Sequence, residues 1–174
     1  MLNLLYPKIY VDSLLDVPLD KLREQNITAY IIDLDNTITE WNSSEIRTEV
    51  EEWFRRIKAE GLKSCILSNN GEERIRKVAD RLGIPYIHRA AKPRRGSFHR
   101  AVKLMGVGAD QAAVVGDQVF TDILGGNRAG LFTILVKPLA RREFIGTKIN
   151  RTLEILVLHM LFKKAIKKGS EHRC

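Results

Sequence analysis

Cysteine, aromatic residues and long apolar runs are all scarce in this chain, and each scarcity excludes something. Its two cysteines are Cys65, inside an apolar run, and Cys174. They give neither the C-x-x-C spacing of a zinc site nor a disulfide framework, so a reducing cytoplasmic location is expected. Aromatic residues make up 7% of the chain, with no stacking motif or recognition helix, and nucleic acid is not an expected partner. The longest apolar run, 155–162, contains His159 and falls far short of the roughly 18 residues of a membrane span. Residues 1–10 lack a basic start, an unbroken apolar stretch and a small-residue cleavage site, which excludes an export signal of the usual kind. There is no internal repeat and no low-complexity segment.

Acidic residues are scarce in one place. Residues 1–136 hold 19 Lys and Arg against 18 Asp and Glu, whereas 137–174 hold 10 basic residues opposed by Glu143, Glu154 and Glu171 alone. The tail therefore carries +7 of the net +8. With 174 residues, 44% of them hydrophobic, the chain suits one core plus an appendage: a domain over 1–148 and a basic helix and tail over 149–174. In the tail an apolar body is followed at once by Lys163, Lys164, Lys167 and Lys168. That combination suits peripheral contact with an anionic membrane face through residues 149–168, although a helix dipole alone also welcomes lysines at its carboxyl end.

What the chain has in plenty is alternation. Apolar β-rich runs at 30–34, 62–67, 86–88, 112–115 and 131–136 are separated by helix-period segments at 45–60, 72–82, 97–105 and 122–128. Asn42-Ser-Ser44 is placed to cap the first of these helices, and Gly61, Gly83 and Gly130 to end three of them. Five strands with four intervening helices predict an α/β fold with a mostly parallel five-stranded sheet covered on both faces. The leucines, isoleucine and valine of 2–15 cover a sheet face or join the tail's surface. In such a sheet ligands collect at the carboxyl ends of the strands.

Polar clusters stand at those ends. Asp33-Leu-Asp35-Asn-Thr37 stops the first strand in two carboxylates and a hydroxyl; Ser68-Asn69-Asn70 follows the second; Lys92 follows the third; and Asp117 and Asp122 follow the fourth. A solvated turn or a helix cap explains any one of them. Together they supply a nucleophile, an acid, a hydroxyl, a cation and carboxylates for a hard metal ion, the inventory for phosphoryl transfer. A phosphate dianion repels an attacking carboxylate, so a divalent ion on Asp33 and Asp117 and the Lys92 ammonium would have to intervene. Ser68 and backbone N–H groups around Asn69 and Asn36 would hold the phosphoryl oxygens, Asp35 would protonate the leaving alcohol, and Asp122 would orient Lys92 or a metal-bound water. His88 and His99 lack a partner at ligand spacing, and solvated charge is the default for Arg89, Arg94 and Arg95.

Over residues 28 to about 136 these motifs resemble the haloacid dehalogenase (HAD) superfamily of aspartyl-phosphate-forming phosphatases. The D-x-D-x-T signature corresponds to Asp33 to Thr37, and the later motifs to Ser68, Lys92 and Gly116-Asp117 with Asp122. The resemblance implies a Rossmannoid three-layer sandwich in which Asp33 is the nucleophile, Asp35 acid and then base, and Ser68, Asn69 and Lys92 bind phosphate. It also implies Mg²⁺ on Asp33, the Asp35 carbonyl and Asp117. Asp35-Asn-Thr37 with Trp41, Ser68-Asn-Asn70, Ala91-Lys-Pro93 and Gly125-Gly-Asn-Arg128 are similar to the YqeG-type group of subfamily IIIA, which implies a lipid phosphate, phosphatidylglycerophosphate, as substrate. A nucleotide, a sugar phosphate or a polynucleotide end is the alternative, and a nucleic-acid or ribosome binding module using the basic tail is a second. Spacing adds one point: 30 residues between Thr37 and Ser68, and 23 between Ser68 and Lys92, leave no room for a cap domain at either place.

Overall fold

The computed structural model describes residues 2–139; residues 140–174 lie outside the described residues, and with them the tail and the membrane contact assigned to 149–168. Six strands form one parallel sheet: β1 (Ile9–Val11), β2 (Ala29–Ile32), β3 (Lys63–Leu67), β4 (Tyr86–Ile87), β5 (Ala112–Gly116) and β6 (Phe132–Val136), in the order β1-β6-β5-β2-β3-β4. The expected count of five is corrected to six. The missed strand, β1, is three residues long at the sheet edge, and an isolated Ile-Tyr-Val run is too short to show a period.

Five α-helices cover the sheet: α1 (Leu19–Glu24), α2 (Thr48–Ala59), α3 (Glu72–Leu82), α4 (Arg95–Met105) and α5 (Leu124–Arg128). Burial alternates along the central strands. Tyr30 and Ile32 of β2, with Ala113 and Val115 of β5, join the core beneath α1, α2 and α3; Ala29, Ile31, Ala112 and Val114 face the opposite way and pack with Phe98, Ala101 and Met105 of α4. Both faces are therefore covered, as a parallel sheet requires. The layers approach closely on the α5 side: a Cβ at Gly126 would stand 2.3 Å from Val114 Cγ1, and one at Gly125 would stand 2.4 Å from the Phe98 ring. Asn127 donates from Nδ2 to the carbonyls of Leu4 (2.8 Å) and Tyr6 (2.9 Å), which pins the first residues to this face.

Chain direction places the site. From β2 the chain runs outward through β3 and β4, then returns to the other side of β2 for β5 and β6, so the strand order switches between β2 and β5. Loops at such a switch diverge and leave a crevice at the carboxyl edge. Asp33 and Asp117 leave these two neighbouring strands, with Asp33 N–H donating to the Val115 carbonyl at 2.9 Å. Among the described residues no cap is inserted: α2 and β3 alone separate Thr37 from Ser68, and α3 and β4 alone separate Ser68 from Lys92.

Candidate active site

Sheet topology brings the predicted site residues to one edge. Asp33, Asp117 and Asp122 are all buried, and each offers a carboxylate oxygen within 4.8 Å of the other two. Lys92 Nζ donates to Asp33 Oδ1 and Asp122 Oδ1, both at 2.6 Å. Burial alone would lower the Lys92 ammonium, but the Asp122 and Asp33 carboxylates reverse that and hold it above its ordinary range. Asp33 is raised as well: burial lifts it to about 7, against the pull of Lys92 and with a push from Asp122 and Asp35. Lys92 thus keeps its proton while Asp33 is crowded by like charge in a dry setting. A cation would relieve that crowding. Two oxygens on one Mg²⁺ stand at most about 4.2 Å apart, so Asp33 and Asp117 need only small side-chain adjustments to share an ion, and their hard oxygen donors fit it.

One glycine makes the cluster possible. A Cβ on Gly116 would lie 2.3 Å from Asp122 Cγ, so the strand must end in glycine for Asp122 to fold back over it. The segment between begins as a π-type turn over Val119–Ile123 where a regular helix from Asp122 is expected, with Gln118 N–H donating to Asp122 Oδ2 at 3.2 Å. Such turns recur where a side chain must be re-aimed into a site.

The Ser68 loop laces the edge together. Ser68 is buried, and its Oγ accepts from the Asn70 N–H at 3.3 Å within the loop; it does not cap α3, whose N-cap is Gly71 with no side-chain hydrogen bond. Asn69 does not present its amide to the crevice. Its Oδ1 accepts from Lys92 N–H (2.7 Å) and its Nδ2 donates to the Lys92 carbonyl (3.4 Å), which fixes the loop carrying the lysine. Arg89 and Ala91 in that loop have φ of +45° and +53°, uncommon for residues with a Cβ, and the loop tolerates them where it places Lys92.

Asp35 is held chiefly by a residue that the sequence did not single out. Arg74 on α3 forks onto it, Nη1 to Oδ1 at 2.5 Å and Nη2 to Oδ2 at 2.6 Å, and reaches the Ser43 carbonyl at 3.2 Å. Asn70 Nδ2 donates to the same carboxylate, as does the Asn42 N–H at 3.0 Å. This last bond corrects the expected cap: 42–44 is a loop that serves Asp35, and α2 starts at Thr48 with no side-chain cap. Asn36 Oδ1 and Thr37 Oγ1, in the same turn, are buried with no hydrogen-bond partner among the described residues. Beside the turn a hollow of about 170 Å³, lined by Ile38, Thr39, Glu40, Ser43, Arg47 and Leu139, is well below the roughly 300–1,000 Å³ of an enclosing small-molecule pocket.

Known proteins carry the same pattern. The family model of haloacid dehalogenase-like hydrolases matches residues 7–130. The chain is 40% identical over 158 residues to the "Probable phosphatase YqeG" of Bacillus subtilis, covering 91% of this chain and 92% of that protein. It is 30% identical over 173 residues to the chloroplastic/mitochondrial phosphatidylglycerophosphate phosphatase 1 of Arabidopsis thaliana, where it spans about half of the relative's length (49%). Among solved structures, the cobalt-bound deoxy-D-mannose-octulosonate 8-phosphate phosphatase of Haemophilus influenzae superposes with a TM-score of 0.55 at 19% identity, over 67% of this chain and 70% of that one, a likeness of fold. With its fold, edge cluster and relatives in agreement, the chain belongs to the haloacid dehalogenase-like hydrolases, in their YqeG-type group, and is a phosphatase.

Proposed function

We propose that this phosphatase hydrolyses a lipid phosphomonoester, phosphatidylglycerophosphate, through a phosphorylated Asp33. The observation that carries the chemistry is the meeting of the Asp33, Asp117 and Asp122 carboxylates around the Lys92 ammonium at the β2/β5 switch. Asp33 attacks phosphorus as the bond to the leaving oxygen breaks, and a proton from Asp35 passes to that oxygen. Asp35 then takes a proton from water, whose oxygen attacks phosphorus; the bond to Asp33 breaks and inorganic phosphate leaves. Lys92 and Ser68, with backbone N–H groups at Asn69, steady the phosphoryl oxygens. Asp122 positions Lys92. Asp33 and Asp117, with the Asp35 carbonyl, would hold Mg²⁺, which neutralises the charge of the dianion.

The Arg74 fork suits Asp35 as a carboxylate, its form when it accepts a proton in the second step; donation in the first step requires the fork to release one oxygen. The lipid reading is supported by the absence of a cap among the described residues and by the Arabidopsis relative's name. A cytoplasmic enzyme with its tail 149–168 against the inner membrane face completes the proposal; among the described residues no helix is long and apolar enough to cross a membrane. Phosphate release from phosphatidylglycerophosphate in mixed micelles, against a panel of soluble monoesters with and without Mg²⁺, tests it. The lipid should be preferred and chelation should stop turnover; soluble esters outrunning the lipid would remove the substrate assignment.

A further inference from the structure

The near-neutral charge of residues 1–136 conceals a division. Between Asp80 and Asp110 lie seven Lys and Arg and no Asp or Glu, while the rest of that region holds twelve basic against eighteen acidic residues. Apart from Arg81, on α3, this basic stretch lies on the loop before α4 and on α4 itself. On the α1–α3 side, acids are interspersed with the basic residues and four of the latter are paired with them: Arg23 with Glu60, Arg56 with Asp20 and Glu60, Lys77 with Glu73, Arg81 with Glu51. On the α4 side and the loop before it, Arg89, Arg94, Arg95, Arg100 and Lys103 are exposed, and none has an acidic partner among the described residues.

Three of these arginines rim the active-site mouth. Arg89 N–H donates to the Asn70 carbonyl at 3.0 Å, and the loop from there to Arg95 carries Lys92. Arg94 immediately precedes α4 and Arg95 is its first residue, at the end where a helix dipole disfavours cations, and no acid in the first turn compensates them. Local stability does not explain two arginines there. On the Asp35 side of the edge, Trp41 is 41% exposed beside Asn42, whose N–H is bound to Asp35. Among the described residues, the other largely exposed aromatic, Tyr10, lies on β1 at the far edge of the sheet. A single-strand nucleic-acid platform stacks successive bases on several aromatics; one tryptophan beside a row of unpaired arginines instead matches the headgroup level of a bilayer and its phosphates.

We propose that Arg89, Arg94, Arg95 and Trp41 form a docking lip for an anionic phospholipid bilayer, which turns the open mouth toward the surface and the α1–α3 face, where acids offset the basic residues, away. This deepens the lipid-phosphate reading and rests on it for its purpose, and it is separate from any contact by the tail.

The test uses the full chain in sedimentation with phosphatidylcholine vesicles, with and without phosphatidylglycerol. Wild type should bind only the anionic vesicles, less tightly as salt rises. About fivefold of affinity per arginine lost predicts roughly a 100-fold drop for R89E/R94E/R95E, and Trp41→Ala should weaken binding with little change in salt dependence. All variants should turn over p-nitrophenyl phosphate without vesicles at the wild-type rate, and the triple variant should melt no lower than wild type, since glutamates suit the start of α4. Undiminished vesicle binding by the triple variant would assign any attachment to the tail and overturn the lip, as would equal binding of wild type to neutral vesicles. Normal docking with the lipid outrun by soluble esters would sink the substrate reading and leave the lip standing.

Discussion

Asp33 and Asp35 leave the same strand two residues apart and end in opposite company. Asp33 lies in a dry cluster of carboxylates about one ammonium, all of it drawn from loops at strand ends. Asp35 lies in a cradle of hydrogen-bond donors, its closest cation supplied by a helix. The first setting crowds a carboxylate so that a cation and an electrophile are welcome; the second fixes where a carboxylate points. Two adjacent acids acquire two roles because different elements reach them.

The largest expected effect comes from removing the first setting's centre. Asp33→Asn should lower phosphate release by about 10⁴-fold or more, as loss of a nucleophile does; turnover near wild type would end the covalent reading. Lys92→Ala should cost about 10³-fold in kcat and, by leaving Asp33 and Asp122 buried without their counter-charge, about 3–5 kcal/mol in urea unfolding. The second setting should break differently. Asp35→Asn is expected to lose about 10²-fold in kcat/KM on alkyl phosphates, and much less on p-nitrophenyl phosphate, whose leaving group needs no proton. Arg74→Gln should show the same substrate pattern at smaller size, and equal loss on both substrates would show that Arg74 acts elsewhere.

Two smaller effects bound the comparison. Gly116→Ala should cost about 1–3 kcal/mol, because its new methyl meets the Asp122 carboxylate, with kcat falling as Asp122 shifts. Cys65, whose thiol burial lifts to about 12, should resist iodoacetamide at pH 8 in a Cys174→Ser background until the protein is unfolded.

Much of the first setting was legible in the sequence, because parallel sheets put every strand's carboxyl end at one edge; a polar cluster after each apolar run locates itself. Asp33, Ser68, Lys92, Asp117 and Asp122 could be read that way. Arg74 could not. It lies one position before Ile75, which begins the buried stripe of α3 with Val78 and Ala79, and its partner is 39 residues away. By helix period it belongs to the wet side, and only the tertiary approach of the Asp35 loop buries it. The same approach explains the missed start of α2, since the polar residues that look like a cap are engaged by Asp35 and Arg74. β1 and the six-residue α1 were missed for lack of length, which pairing and packing supply.

The pairing of β1 with β6 has a consequence for synthesis. Lys8 is hydrogen-bonded to Thr133, 125 residues later, and Asn127 holds the carbonyls of Leu4 and Tyr6. As the ribosome extrudes the chain, β1 has no strand to pair with until β6 has emerged, so this edge of the sheet closes only after the other five strands are made.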